Sequence, residues 1–322
     1  MGILVLSTIL AFITGFAIKR GNICAVAAVH QWVVHRNAFH LRAFITGMCC
    51  SGLILVAITW LFPGAGGMSA EYAVTLVTVL AGVLFGVGAW LNRGCVLGTI
   101  VFLSRGDLNY VGTLFGMFIG ALIGQFAYKP VLSTNVSTLQ MPTSLAVSIV
   151  GVYALVLLLD VWKYFRNQRV ADTSNSTHLD SNYLLPMIIV VGVCSAILHA
   201  LNGEWTYLAT LIHIAEGLVT NSSKPLASFL IYSIATFVGA LLAARYSGEI
   251  KLHAVAIRLI VQRLIGGMSM GLAACMIPGG NESMMFSGGP SLALHAIVAY
   301  MSMTLTLTLL IMVHVFRRRA DI

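Results

Sequence analysis

The chain has 322 residues, of which 59 % are apolar and 9 % charged, with a mean hydropathy of +0.94 and a net charge of +8. A soluble domain carries about 25 % charged residues, so composition excludes a water-soluble globular protein and indicates a polytopic membrane protein. The basic residues do not gather with aromatic residues on a polar face, which excludes nucleic acid as a partner. Six cysteines (Cys24, Cys49, Cys50, Cys95, Cys194 and Cys275) form no C-x-x-C pair and no Cys/His zinc spacing, so neither a disulfide framework nor a metal centre is expected.

At about 20 apolar residues per crossing, the first span covers 2–18. It has no basic flank before it and is followed by Lys19-Arg20, the reverse of a signal peptide. It therefore reads as a retained span with its N-terminus outside. The polar break Lys19-Arg20-Gly21-Asn22-Ile23-Cys24 comes next, inside a connection, 20–40, that is too apolar for an ordinary loop and too broken to cross. Spans at 41–62 and 71–91 lead to a second break, Leu91-Asn92-Arg93-Gly94-Cys95-Val96-Leu97-Gly98, in the connection 92–108.

Spans at 110–128 and 142–165 follow, then a polar linker, 166–182, that reads as a flexible cytoplasmic connector. Beyond it lie spans at 184–201, 225–245, 256–277 and 290–316, separated by apolar connections at 202–223 and 278–289. The last connection carries Gly279-Gly280-Asn281. A lipid-facing helix does not tolerate an arginine, a glycine and unpaired backbone groups in mid-span, so such breaks belong inside protein or beside a watery cavity.

The pattern predicts an all-α polytopic fold of nine transmembrane helices and four short re-entrant helices. An odd span count gives two four-span halves related by an inverted repeat: 1–130, then the connecting span and linker 131–183, then the inverted half 184–322. Gly82-x-x-x-Gly86 before Arg93-Gly94-Cys95 and Gly267-x-x-x-Gly271 before Gly279-Gly280-Asn281 repeat one motif. Small residues four apart also serve close helix packing. The segments at Cys24 and Cys95 are then expected to dip in from the cytoplasm and the other two from outside, with tips meeting near the midplane.

The basic residues give an independent test. Fifteen fall on connections assigned to the cytoplasm (Lys19, Arg20, Arg36, Arg42, Arg93, Arg105, Lys163, Arg166, Arg169, Arg245, Lys251, Arg258, Arg317, Arg318 and Arg319), and only Lys129 and Lys224 fall outside, with Arg263 near the cytoplasmic end of a span. This bias places the N-terminus outside and the C-terminus in the cytoplasm.

A short helix beginning at Gly21 or Gly94 presents free N–H groups and a positive dipole end, which suits an anion. Cys24 and Cys95 sit at its first turn, where a thiol offers a weak S–H donor and a soft contact for polarizable sulfur. A lone cysteine in an apolar segment is ordinarily a small buried hydrophobe; two at matched breaks point to a site for a soft anion. Asn281 either donates its amide to that anion or caps the last short helix. Gly94 and Gly280 complete the candidate binding set.

Arg20 and Arg93 either draw anions to the mouth or simply obey the topology rule, and Glu282 must be paired, protonated or wet, as in an outer vestibule. His30, His35 and His40 lack zinc-site spacing, Cys49, Cys50, Cys194 and Cys275 read as packing residues, and the methionines around the last break read as core. No phosphate loop, G-x-S-x-G elbow or H-E-x-x-H appears, which removes support for nucleotide-driven transport and common intramembrane hydrolysis.

Gly15-Phe16 with Arg20-Gly21-Asn22-Ile23-Cys24, Arg93-Gly94-Cys95-x-x-Gly98-Thr99 with Gly106-Asp107-Leu108, and Gly266-Gly267-x-x-x-Gly271 with Gly279-Gly280-Asn281 together resemble the YeeE/YedE (sulfur transport) family over about residues 1–316. The resemblance implies a bacterial inner-membrane transporter, not an enzyme and without a cofactor. It would take up thiosulfate through an hourglass constriction where cysteines pass the ion inward by S–H···S hydrogen bonds. Carried over by position, Cys24 and Cys95 match the first two motif cysteines, and Asn281 stands where the third would be. That departure opens the alternative of another sulfur or selenium species. Some relatives work with a soluble sulfur carrier of the TusA type, which would here be a separate protein. A membrane thiol enzyme, or a subunit that only anchors such a carrier, are the competing readings from other classes.

Overall fold

The computed structural model describes residues 1–62, 67–133, 137–171, 181–220 and 226–320; Lys224 and most of the polar linker, 172–180, lie outside these, as do the side chains of Arg169, Arg318 and Arg319. The helices are α1 (Gly2–Arg20), α2 (Ala25–His35), α3 (Phe39–Leu61), α4 (Leu76–Asn92), α5 (Val96–Ser104), α6 (Val111–Ala127), α7 (Ser144–Ala171), α8 (Ser181–Asn202), α9 (Tyr207–Thr220), α10 (Leu226–Tyr246), α11 (Ile257–Met276), α12 (Asn281–Ser283) and α13 (Leu294–Ala320). A π-turn, Met284–Gly288, continues α12. Among the described residues there is no strand, only one antiparallel bridge between Tyr72 and Leu132.

Among the described residues, nine stretches are long and apolar enough to cross a membrane. The expected spans coincide with α1, α3, α4, α6, α7, α8, α10, α11 and α13 to within a few residues. Length and hydropathy suffice for that agreement, because in lipid every backbone group must be satisfied within its own helix. The four apolar connections hold α2, α5, α9 and the α12 turn. One boundary differs: α7 continues to Ala171, so the linker assigned to 166–182 begins in helix.

Small residues let the long helices approach. Gly112 of α6 lies so close to α11 that an added Cβ would stand 2.6 Å from the Ile260 carbonyl oxygen, and Gly116 and Gly120 press still closer, against Leu264 and Met268. From the other side, Gly267 and Gly271 of α11 meet the carbonyls of Thr113 and Met117. Lipid tails are as apolar as leucine, so helices associate in the membrane through such close backbone packing. Gly82 does the same toward Ala299 of α13, which makes packing one role of the repeated glycine motif.

The ends of α1, α5 and α10 are tied together. Lys19, 1 % exposed, donates to Glu249 at 2.9 Å, and Arg105 reaches the same carboxylate at 2.8 Å. Arg42 and Asp160 join α3 to α7.

Candidate functional site

All three breaks use one backbone device. The chain leaves each long helix through a hydrogen bond reaching five residues back: Ile23 to Ile18 at 3.0 Å, Gly94 to Ala89 at 3.1 Å and Gly279 to Ala274 at 2.9 Å. This is the helix-ending turn that uses a left-handed residue just before the bond. Asn22 (φ 49°) and Arg93 (φ 52°) supply it at the first two breaks. Asparagine tolerates that region; arginine there is strained, and the bonds around it must hold it.

The next residue is extended and caps the following helix: Cys24 before α2, Cys95 before α5 and Gly280 before α12. The third break therefore differs from the expectation by one step. Gly280, not Asn281, takes the place equivalent to the two cysteines, and Asn281 is the first helical residue.

That shift decides what Asn281 does. Its Oδ1 accepts from the Val96 N–H at 3.3 Å, so it caps α5, a neighbouring helix, rather than its own. Its Nδ2, fully buried, has no hydrogen-bond partner. Cys95 likewise serves two helices, accepting from Gly98 N–H at 3.5 Å and from Ala25 N–H, the start of α2, at 3.2 Å. The Cys95 and Cys24 sulfurs stand 3.8 Å apart as free thiols. The helix-start N–H groups expected to be free thus point at sulfur and carboxamide. Chemically the cluster is soft on one side and carries one spare hard donor.

Cavities flank this cluster. One of about 700 Å³ is lined by Cys24, His30, Arg93, Gln262 and His314. Another of about 590 Å³ is lined by Gln125, Lys129, Cys275, Gly279 and Ser283. They touch opposite ends of α11, at Gln262 and at Ala274 and Cys275, roughly 18 Å apart along a helix of 1.5 Å rise. Cys95 and Asn281, both 0 % exposed, line neither.

The profile of the family described as Sulphur transport matches residues 20–309. The chain belongs to that family. It is also similar to the thiosulfate transporter TsuA of Spirochaeta thermophila, with 24 % identity over 321 residues, covering 90 % of this chain and 93 % of that protein. The protein is a multi-pass membrane transporter for sulfur compounds, not an enzyme.

The remaining candidates fall into two groups. Arg93 borders the larger cavity, but Arg20 is committed elsewhere, stacked 3.9 Å over the Tyr183 ring and donating to Ser247 at 3.1 Å. Gly94 spends both backbone groups inside the turn, its N–H on Ala89 and its carbonyl accepting from Asn92 Nδ2 at 2.8 Å. Glu282 faces neither flanking cavity; it lines a separate interior one with His199 and Glu204. Among the described residues no cluster of three or more His, Cys, Asp or Glu is arranged to hold a metal ion.

Sequence reading gave no site role to several supporting residues. Gly98 lies under Cys24, where a Cβ would stand 2.6 Å from Sγ. Tyr207 donates to the Val96 carbonyl at 2.7 Å. Asn92, 0 % exposed, holds the second turn through Gly94, Thr99 and Thr113. Arg263, buried and 4.4 Å over the Tyr110 ring, donates to the carbonyls of Leu91 and Asn92. The presence of an arginine and an asparagine inside apolar runs was the available signal for the last two. Cys275, assigned to packing, lines the smaller flanking cavity.

Proposed function

We propose that this protein takes up a sulfur oxyanion, thiosulfate first among them, across the bacterial inner membrane through the Cys24, Cys95 and Asn281 cluster. The single observation that carries the reading is the contact of two thiols at 3.8 Å beside a buried amide with an unused donor, between cavities at opposite ends of α11. Thiosulfate has a soft terminal sulfur and a hard sulfonate end. The thiols suit the first and the Asn281 Nδ2 donor suits the second. The relative's assigned cargo, thiosulfate, agrees with this division.

In this reading the cluster at rest is closed on itself. Val96 and Ala25 N–H groups, now bound to Asn281 and Cys95, are handed to the passing anion, so the throat opens by exchanging partners. Arg93 and Arg263 add positive potential on the Cys24 side, and Gly280 keeps the third turn narrow. The charge bias sets the Cys24 side in the cytoplasm and the Lys129 side outside. The short helices then enter from both faces, in two inverted halves, 1–130 and 184–322, joined by α7 and the linker. A TusA-like carrier meeting the cytoplasmic mouth would receive the product as a separate protein.

The test is counterflow in proteoliposomes with labelled thiosulfate, challenged by sulfate, selenate and selenosulfate. Thiosulfate exchange inhibited best by species with a terminal sulfur or selenium supports the reading. Equal inhibition by sulfate removes the role of the thiols, and no exchange removes transport by this protein alone.

A further inference from the structure

An interior cavity of about 60 Å³ lies beside the constriction, lined by Thr14, His199, Glu204, Thr206 and Glu282 among others. That volume holds about two waters. Glu282 directly follows Asn281 in the chain. It is 7 % exposed, and neither of its carboxyl oxygens makes a hydrogen bond of normal geometry, with Thr206 beside it. His199, 8 % exposed, has its ring turned to the Gly67 backbone and leaves Nδ1 without a partner.

Glu204 accepts from Ser69 Oγ and lines both this cavity and the flanking cavity that holds Lys129. The titratable groups facing Glu282 are Glu204 and His199 across the cavity, Tyr207 on α9 and Cys95 on α5. Among the described residues, no lysine or arginine lines it.

A carboxylate kept at membrane depth with no cation beside it and little but the Thr206 hydroxyl to donate to it is a functional feature, because an ionised group there is strongly disfavoured. The Glu282 carboxyl group lies against Gly280 in the third turn and hydrogen-bonds to none of Cys24, Cys95 and Asn281. His199, whose Nδ1 has no partner, lines the same cavity.

We propose that Glu282 is the proton-coupling site of this transporter: protons reach it from the Lys129-side cavity through Glu204 and His199, and one moves with each anion. This rests on the transport reading above. It also answers an electrostatic need, since thiosulfate is a dianion and an inside-negative membrane opposes each negative charge that enters. A proton bound at Glu282, next to the Asn281 amide, removes one charge from the moving unit and removes a repulsive carboxylate from beside the throat. Proton loading and anion passage are thereby linked at adjacent residues.

The experiment uses purified full-length protein in liposomes, with the voltage clamped by potassium and valinomycin and a trapped pH dye. Labelled thiosulfate is the probe, and gradientless counterflow reports the anion path separately. Lowering the outside pH by one unit is expected to raise the accumulation ratio up to about tenfold per coupled proton, since a tenfold ratio is one decade in an equilibrium constant. The dye should report acidification when thiosulfate is added. In Glu282→Gln the ratio with the pH gradient should fall to the ratio without it.

Glu204→Gln, read in the same way, decides the matter if Glu282→Gln does not give monodisperse protein. Intact counterflow with no response to the pH gradient overturns the coupling and leaves the transport reading standing. A response to a sodium gradient in place of pH, or a full pH response in both folded variants, also overturns it. No counterflow in the unaltered protein overturns both.

Discussion

The first two breaks and the third share a backbone turn but treat their polar groups in opposite ways. Around Cys24 and Cys95 most side chains are bonded: Asn92 bonds Gly94, Thr99 and Thr113, Arg263 covers the α4 carbonyls, and Glu249 clamps Lys19 and Arg105, leaving the Nε of each arginine without a partner. Around Asn281 the amide nitrogen and both Glu282 oxygens have none. A satisfied polar network inside a low-dielectric region is rigid, whereas unsatisfied groups are held ready for a partner that arrives. In the proposed mechanism the first two breaks are a fixed socket, and the third supplies the groups that change partners.

The comparison is tested most severely at Cys95, which joins the two halves of the socket. Cys95→Ala removes the sulfur that accepts from both Ala25 and Gly98 and that touches Cys24. Uptake of labelled thiosulfate in a strain dependent on this protein is expected to fall to background at normal protein level. Full uptake by that variant breaks the thiol role.

Asn281 separates capping from donation. Asn281→Asp keeps an oxygen for the Val96 N–H but replaces the unused donor by a negative charge. If Nδ2 serves the anion, counterflow falls about tenfold or more, the range expected for losing one hydrogen bond to a charged group. Asn281→Ala should fall less, because it removes the donor without adding repulsion. Equal rates for Asp and wild type would reduce Asn281 to a cap for α5.

The difference between the breaks also explains what was legible in the sequence. Span positions, the breaks and the cysteines follow from hydropathy and from residues that helices in lipid reject, and all of these are local. That Asn281 sits one step past the place equivalent to Cys24 and Cys95 depends on how far the turn after α11 runs before α12 begins, which neighbouring packing fixes. The trans caps, Cys95 on α2 and Asn281 on α5, join residues 70 and 185 positions apart, and no periodicity encodes them. The roles of Tyr207 and Gly98 were hidden for the same reason: each matters through one distant contact. Arg263 was visible as a polar residue in an apolar run but was absorbed by the topology rule, and Asn92 was seen only as part of the second break.

Rigidity of the socket is measured by Asn92→Ala. The Gly94 carbonyl and the Thr113 hydroxyl lose their partner in a site with no water access, at about 1–3 kcal/mol each. The thermal midpoint of the purified protein is expected to drop, and uptake to fall severalfold with it. Asn281→Ala, which strips a group already half unpaired, should move the midpoint much less. Similar losses for the two would erase the distinction between a fixed and an adaptable side.

The smallest effect belongs to the clamp at the rim. Burial pushes the Glu249 carboxyl up, but the hydrogen bond from Lys19 and the charge of Arg105 overcome it and hold it below the usual carboxylate range. A lowered native value means the stabilisation is complete above the unfolded carboxylate pKa, about 4.3, and is lost as pH falls through the native one. With Glu249 38 % exposed, solvent screens the pair, so the midpoint should change only slightly between pH 7 and 5 and more steeply below. Glu249→Gln should flatten that acid limb without touching the Asn281 variants' effects on counterflow. A clamp whose removal instead abolished uptake would mean that the socket is held from the rim and not, as the Asn92 network implies, from within.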